Sequence, residues 1–168
     1  MKQTLYLLRH AKAEPWTPGC DDFNRPLSNK GREHMEKLSR WMIQHLSRPD
    51  AVLCSTSSRT RGTLEPLLNA YAEPEPATHY LDAIYEATAG RLHGLAEQSF
   101  ERFNAVLMVG HNPGFENLLF SLLVDQDSGR IGKMATGSLG VIEFGAGYQA
   151  DFGHGVLRHW VTRKSLID

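Results

Sequence analysis

The chain has 168 residues, the size of one domain, and 41% of them are apolar, enough to build a core. Lys+Arg 18 against Asp+Glu 19 leaves a formal charge of -1 with histidine neutral, which excludes the electrostatic footprint of a general nucleic-acid or anionic-membrane binder. Two cysteines, Cys20 and Cys54, can make neither a disulfide framework nor a four-cysteine zinc site. Eight histidines are more than the rest of the composition leads one to expect, and arginine outnumbers lysine 12 to 6, a bias that suits planar recognition of oxyanions.

Taken in order, the apolar residues switch repeatedly between strand and helix spacing. Thr4 to Leu8 reads as a strand buried on both faces, followed by a polar loop from Ala13 to Pro26. Ser28 is an N-cap for a helix whose core stripe is Met35, Leu38, Met42 and Leu46. Ala51 to Cys54 is a second buried strand, and Leu64, Leu67, Leu68 and Tyr71 are the stripe of a second helix, ended by Glu73-Pro74-Glu75-Pro76. A weaker strand is expected over His79 to Ile84 and a short helix over Arg91 to Phe100. Ala105 to Val109 is the clearest buried strand. Asn112-Pro113 then opens a helix to about Val124, with Asn as cap and Pro at the first helical position. Two strands close the chain, Ser138 to Phe144 and Val156 to Thr162. The expected fold is α/β, a three-layer sandwich with a mostly parallel sheet and a C-terminal pair able to run antiparallel, as one domain over residues 1–168.

The first apolar run is broken at once by Arg9, His10 and Lys12, too soon for a signal peptide. Leu118 to Val124, the longest apolar stretch, is far below a membrane span. A cytoplasmic protein with reduced thiols, no membrane partner and no nucleic-acid partner is the expectation.

His10 and His111 each stand just past the end of a buried strand, and Ser55 to Arg59 follows the second strand in the same way. Open α/β sheets bind ligands outside the carboxyl ends of their strands. Two histidines and two arginines, Arg9 and Arg59, therefore meet at one rim. A neutral imidazole is a competent nucleophile near neutral pH, and guanidinium groups neutralise phosphoryl oxygens in bidentate fashion. That set suits phosphoryl transfer to histidine with no metal and no cofactor.

Leu8-Arg9-His10-Ala11 resembles the Arg-His-Gly signature of the histidine phosphatase superfamily, whose fold is phosphoglycerate-mutase-like. Arg25-Pro26-Leu27 with Gly31, the stretch Ser55 to Thr63, Val109 to Pro113, Met134 to Ser138 and Leu157 to Leu166 are similar to further segments of it, in order. The compact length and the Arg-His-Ala-Lys-Ala opening are most similar to SixA-type phosphohistidine phosphatases. The resemblance implies a covalent phosphohistidine on His10, with Arg9, Arg59 and His111 holding the phosphoryl oxygens. It also implies an acid near Glu86 that protonates the leaving group, a role a phosphoramidate needs less than an ester does. Glu86 keeps two readings, that acid or a surface carboxylate partnering Arg91. The implied substrate is a phosphohistidine on a protein. Rival readings are a phosphatase of small phosphate esters and a phosphate-binding module without turnover.

The sequence departs from the pattern at Ala11, which replaces glycine, and at Ala13-Glu14-Pro15, where many members place a polar phosphate contact. Either the pocket is thinner there, or the loop Trp16 to Asn24 supplies something else. Arg61 is read as a helix-surface charge. His154 and His159 lack a third ligand at zinc-like spacing. Four residues separate Cys54 from Arg59 and six separate it from Arg61, which does not fit the five intervening residues of a tyrosine-phosphatase loop.

Overall fold

Strands whose residues are apolar on both faces must be covered on both faces, and that requirement organises this chain. In a computed structural model describing residues 1–147 and 149–166, six strands form one sheet. They are β1 (Gln3–Arg9), β2 (Ala51–Ser55), β3 (Ala77–Leu81), β4 (Ala105–Gly110), β5 (Leu139–Phe144) and β6 (Val156–Val161), in the order β3-β2-β4-β1-β5-β6. The first four run parallel, and β5 is antiparallel to both of its neighbours. The expected domain 1–168 extends two positions beyond the described C-terminal residues.

Alternate side chains of the central strands point to opposite faces. Leu5, Leu7, Val106 and Met108 pack under α3 (Ala89–Phe100) and α4 (Gly114–Leu122). Tyr6, Leu8, Leu107 and Val109 pack under α1 (Asn29–His45) and α2 (Ser58–Ala70). The result is helix, sheet, helix. Ser28 caps α1 by accepting from the Gly31 N–H at 3.1 Å, and Met35, Leu38 and Met42 line its buried face. No helix among the described residues is long and apolar enough to cross a membrane.

Two boundaries differ from expectation. The third strand ends at Leu81, because Asp82 to Ile84 coil into a 3-10 turn whose Asp82 carboxylate accepts from Thr56 at 2.5 Å. The helix after Pro113 starts at Gly114 and stops at Leu122. Asn112 still caps it from one residue further out, its Oδ1 accepting from the Glu116 N–H at 3.2 Å. The C-terminal end is lost because Leu123 bridges to Gly155 and the Val124 N–H donates to the Gly155 carbonyl, which leaves only a four-residue α5 (Asp125–Ser128) beyond.

Gly110, the last residue of β4, lets α4 approach the sheet. A Cβ there would stand 2.3 Å from Phe115 Cε1 and 2.9 Å from Ile84 Cγ2, inside any tolerable contact. Gly110→Ala is expected to cost about 1–3 kcal/mol through overpacking. Denaturant unfolding measures this, and an unchanged midpoint would show that Phe115 repacks freely.

Candidate active site

Register brings the site together. Arg9 lies beside Gly110 in the β1–β4 pair, and Cys54 beside Val109 in the β2–β4 pair. The residues that follow, His10, Ser55 and His111, therefore reach the same rim. The His10 N–H donates to the Gly110 carbonyl at 3.0 Å, and the His10 carbonyl accepts from the Gly137 N–H at 2.8 Å. Gly137 has φ 74 and lies against the His34 ring, so only glycine fits that turn. Thr63 ties the chain after His10 to α2: its hydroxyl accepts from the Ala11 N–H at 3.0 Å and donates to the Arg59 carbonyl at 2.7 Å.

The His10 ring is buried, and its Nδ1 lies 2.8 Å from the Ala11 carbonyl. A carbonyl can only accept, so Nδ1 carries the hydrogen and Nε2 keeps its lone pair. His111 stands 5.3 Å away between ring centroids, with its Nε2 2.9 Å from the Ser55 hydroxyl. Burial, then the Arg59, Arg9 and Arg25 cations, pushes His10 down to about 4, against the opposing Ala11 carbonyl. Burial, His10 and Arg59 push His111 down to about 3. Both rings are neutral at neutral pH while the guanidinium groups around them remain charged.

Each arginine is held by oxygen acceptors that leave part of its fork unused. Arg9 Nη1 donates to the Met134 carbonyl at 2.8 Å. Arg59 donates from Nη1 to the Asp22 carbonyl at 2.7 Å and from Nη2 to its carboxylate at 3.0 Å. The Tyr85 hydroxyl donates to the same carboxylate at 2.7 Å, and Arg25 pairs with Asp22 at 3.0 Å. Those contacts, Tyr85 first, hold Asp22 down at about 2. Arg9 Nε, Arg25 Nε, Arg59 Nε and His111 Nδ1 are buried without a hydrogen-bond partner among the described residues. Buried polar atoms are rarely unsatisfied, and here three guanidinium donors and a ring nitrogen are.

Four of the five sequence-predicted residues, Arg9, His10, Arg59 and His111, converge. Glu86 does not join them. It is exposed, sits at φ 52, and has neither a hydrogen bond nor an ion pair with Arg91 among the described residues. Its neighbour Tyr85 turns inward instead, edge-on to His111 at 5.3 Å. The loop Trp16 to Asn24 does supply something, the Asp22 carboxylate. Asp22 and Tyr85 escape sequence reasoning because they are 63 positions apart, although the Asp22–Arg25 pair at i,i+3 is a local signal. Arg61 lies on the helix surface, 4.2 Å over the Tyr80 ring. Among the described residues, no group of three His, Cys, Asp or Glu is arranged to hold a metal ion.

Comparison with known proteins places this geometry. An uncharacterised Mycobacterium tuberculosis protein is 31% identical over 106 residues, and that match spans 63% of this chain and 63% of the relative's length. A protein named as a proposed phosphohistidine phosphatase, SixA from Agrobacterium tumefaciens, shares the fold with TM-score 0.83 and 26% identity over 95% of this chain and 97% of its own. The protein histidine phosphatase SixA complexed with tungstate has the same fold, with TM-score 0.81 and 18% identity over 98% of this chain and 100% of its own. Residues 5–117, which run from within β1 to the first four residues of α4 and carry both rim histidines, match the histidine phosphatase superfamily (branch 1), and the chain belongs to that family.

Proposed function

We propose that residues 1–168 form one cytoplasmic phosphatase domain that hydrolyses phosphohistidine on a protein through a covalent phosphohistidine on His10. The observation that carries this reading is the His10 ring: Nδ1 is committed to the Ala11 carbonyl, and Nε2 keeps its lone pair in a buried, cation-lined pocket. The Agrobacterium neighbour, proposed to act on phosphohistidine, supports the substrate class. The free thiols of Cys20 and Cys54 suit a reducing compartment.

The chemistry balances in two steps. His10 Nε2 attacks phosphorus in line, its bond forms, and the bond from phosphorus to the substrate imidazole breaks, with the leaving ring taking a proton from solvent. Water then attacks the phosphoryl group on His10 and gives a proton back to solvent, the bond from phosphorus to Nε2 breaks, inorganic phosphate departs, and the neutral ring returns. Arg9, Arg59 and His111 hold the phosphoryl oxygens, and the positive charge that a metal supplies in other phosphatases comes here from the two guanidiniums. Asp22 orients Arg59 without quenching it, since Tyr85 and Arg25 share the same carboxylate. Glu86 stands apart from the residues that hold the phosphoryl oxygens, exposed and one position past Tyr85, and is read as the acid for leaving groups more basic than imidazole.

Labelled phosphate from a phosphohistidine protein should appear on the chain as an acid-labile, base-stable adduct, absent in His10→Ala. Absence of the adduct at several pH values would favour a binding module, and turnover of esters alone would move the substrate to small phosphates. Glu86→Gln should leave phosphohistidine turnover within a few-fold and reduce turnover of alkyl phosphate esters by about 10²-fold or more. Equal losses on both substrates would remove Glu86 from the reaction.

The protonation state is directly measurable. In the free protein the His10 ring should titrate near 4, well below its ordinary 6.5. A bound oxyanion stabilises the imidazolium and should raise that midpoint. NMR titration with and without tungstate checks both shifts, and a midpoint of 6.5 in the free protein would contradict the buried, cation-lined ring.

A further inference from the structure

The lysines of this chain are not spread evenly. Five of the six, Lys12, Lys30, Lys37, Lys133 and Lys164, line two clefts of about 640 and 340 Å³. Both clefts include Lys30, His34 and Arg163, so together they form one trough along α1. Glu33 is the single acidic residue lining it among the described residues. None of these six cations makes an ion pair among the described residues, and all are exposed. A chain with a formal charge of -1 thus collects six cations on one face.

That face adjoins the phosphoryl site. Lys12 follows His10 by two residues, and Lys133 precedes Met134, whose carbonyl holds Arg9. On the trough floor, His34 Nε2 donates to the Gly137 carbonyl at 2.9 Å, and the Gly137 N–H donates to the His10 carbonyl. Lys30, His34 and Lys37 follow i, i+4, i+7 spacing, one helix face about 10 Å long. The half-buried Trp160 adds an apolar wall. The field of the cations reaches the floor: Arg163 and Lys37 add to burial in lowering His34.

We propose that this trough is the docking surface for an acidic, elongated face of the phosphohistidine-bearing protein, a helix or extended segment whose carboxylates flank the phosphorylated ring. The inference rests on the activity proposed above. Charge complementarity selects the partner, and residue type narrows it. Phosphoryl recognition in this chain falls to arginine forks, whereas the trough uses lysines, flexible point charges suited to carboxylates whose positions vary. Its length along α1 exceeds what one small anion fills.

The test uses the full-length protein and the triple variant Lys30→Glu/Lys37→Glu/Lys164→Glu, none of which belongs to the phosphoryl site. Substrates are phosphoramidate, an acidic protein chemically phosphorylated on histidine, and a histone phosphorylated in the same way. KM of the variant for the acidic phosphoprotein should rise roughly tenfold or more, with kcat unchanged and phosphoramidate turnover within about twofold. Raising salt from about 0.05 to 0.5 M should raise KM of the unaltered protein but not of the variant. Binding of the unphosphorylated acidic protein, measured by interferometry, should weaken in parallel and needs no turnover. Unchanged KM and binding in a variant that melts normally would overturn the docking surface alone. Charge-dependent binding with no turnover of any phosphohistidine substrate would leave the surface standing and overturn the activity. Preference for the histone, or tighter binding of a single-stranded oligonucleotide than of the acidic protein, would overturn the choice of partner.

Discussion

The hydrogen bond from His10 Nδ1 to the Ala11 carbonyl governs what the rest of the site can be. It fixes the tautomer, turns the other nitrogen outward with its lone pair, and spends the only ring hydrogen on an acceptor one residue away. Around that ring are cations, and water is largely excluded. A second cationic centre at His10 is therefore disfavoured, which is why His10 is lowered to about 4 and His111 to about 3. A neutral imidazole and the charged guanidiniums around it are two results of one packing arrangement.

The same arrangement carries a cost in acid. Below the ordinary imidazole value of 6.5 the unfolded chain binds protons that the folded site refuses. The two rings contribute stability that is present above that pH and is lost as pH falls toward about 4. Asp22 behaves in the same direction over a lower range: its contribution is present above its ordinary 3.8 and is lost as pH falls toward about 2. Anion binding opposes the first loss, because a phosphoryl group favours protonated rings. Ligand and proton are thus linked through the groups that the fold holds neutral.

Most of the fold was legible because its strands are buried on both faces and read as unbroken apolar runs, Leu5 to Leu8 and Val106 to Val109 above all. Histidines placed directly after such runs must emerge at the sheet rim, so the sequence itself pairs His10 with His111. Contacts made across distant loops were not legible. Asp22 lies in a polar stretch and Tyr85 in a short turn, and neither has a periodicity; only the folded chain brings them within 2.7 Å. Helix ends set by tertiary pairing were equally hidden, as at Leu123, where a bridge to Gly155 stops α4 early. Spacing alone also does not show that Tyr85, one position before Glu86, is the side chain that turns toward His111.

A formal charge of -1 says little about a molecule whose cations are sorted by type. The two arginines at the rim are buried or half-buried and fixed by named acceptors, so their charge is local and geometric. The lysines along α1 are exposed, so their field is broader and is screened by salt within about 8 Å at physiological strength. Gly137 joins the two regions, with its N–H on the His10 carbonyl and its own carbonyl on His34. A Cβ at Gly137 would stand 2.4 Å from the His34 ring, so the junction admits no side chain. The backbone that orients His10 and the ring on the trough floor are therefore tied through one glycine by two hydrogen bonds.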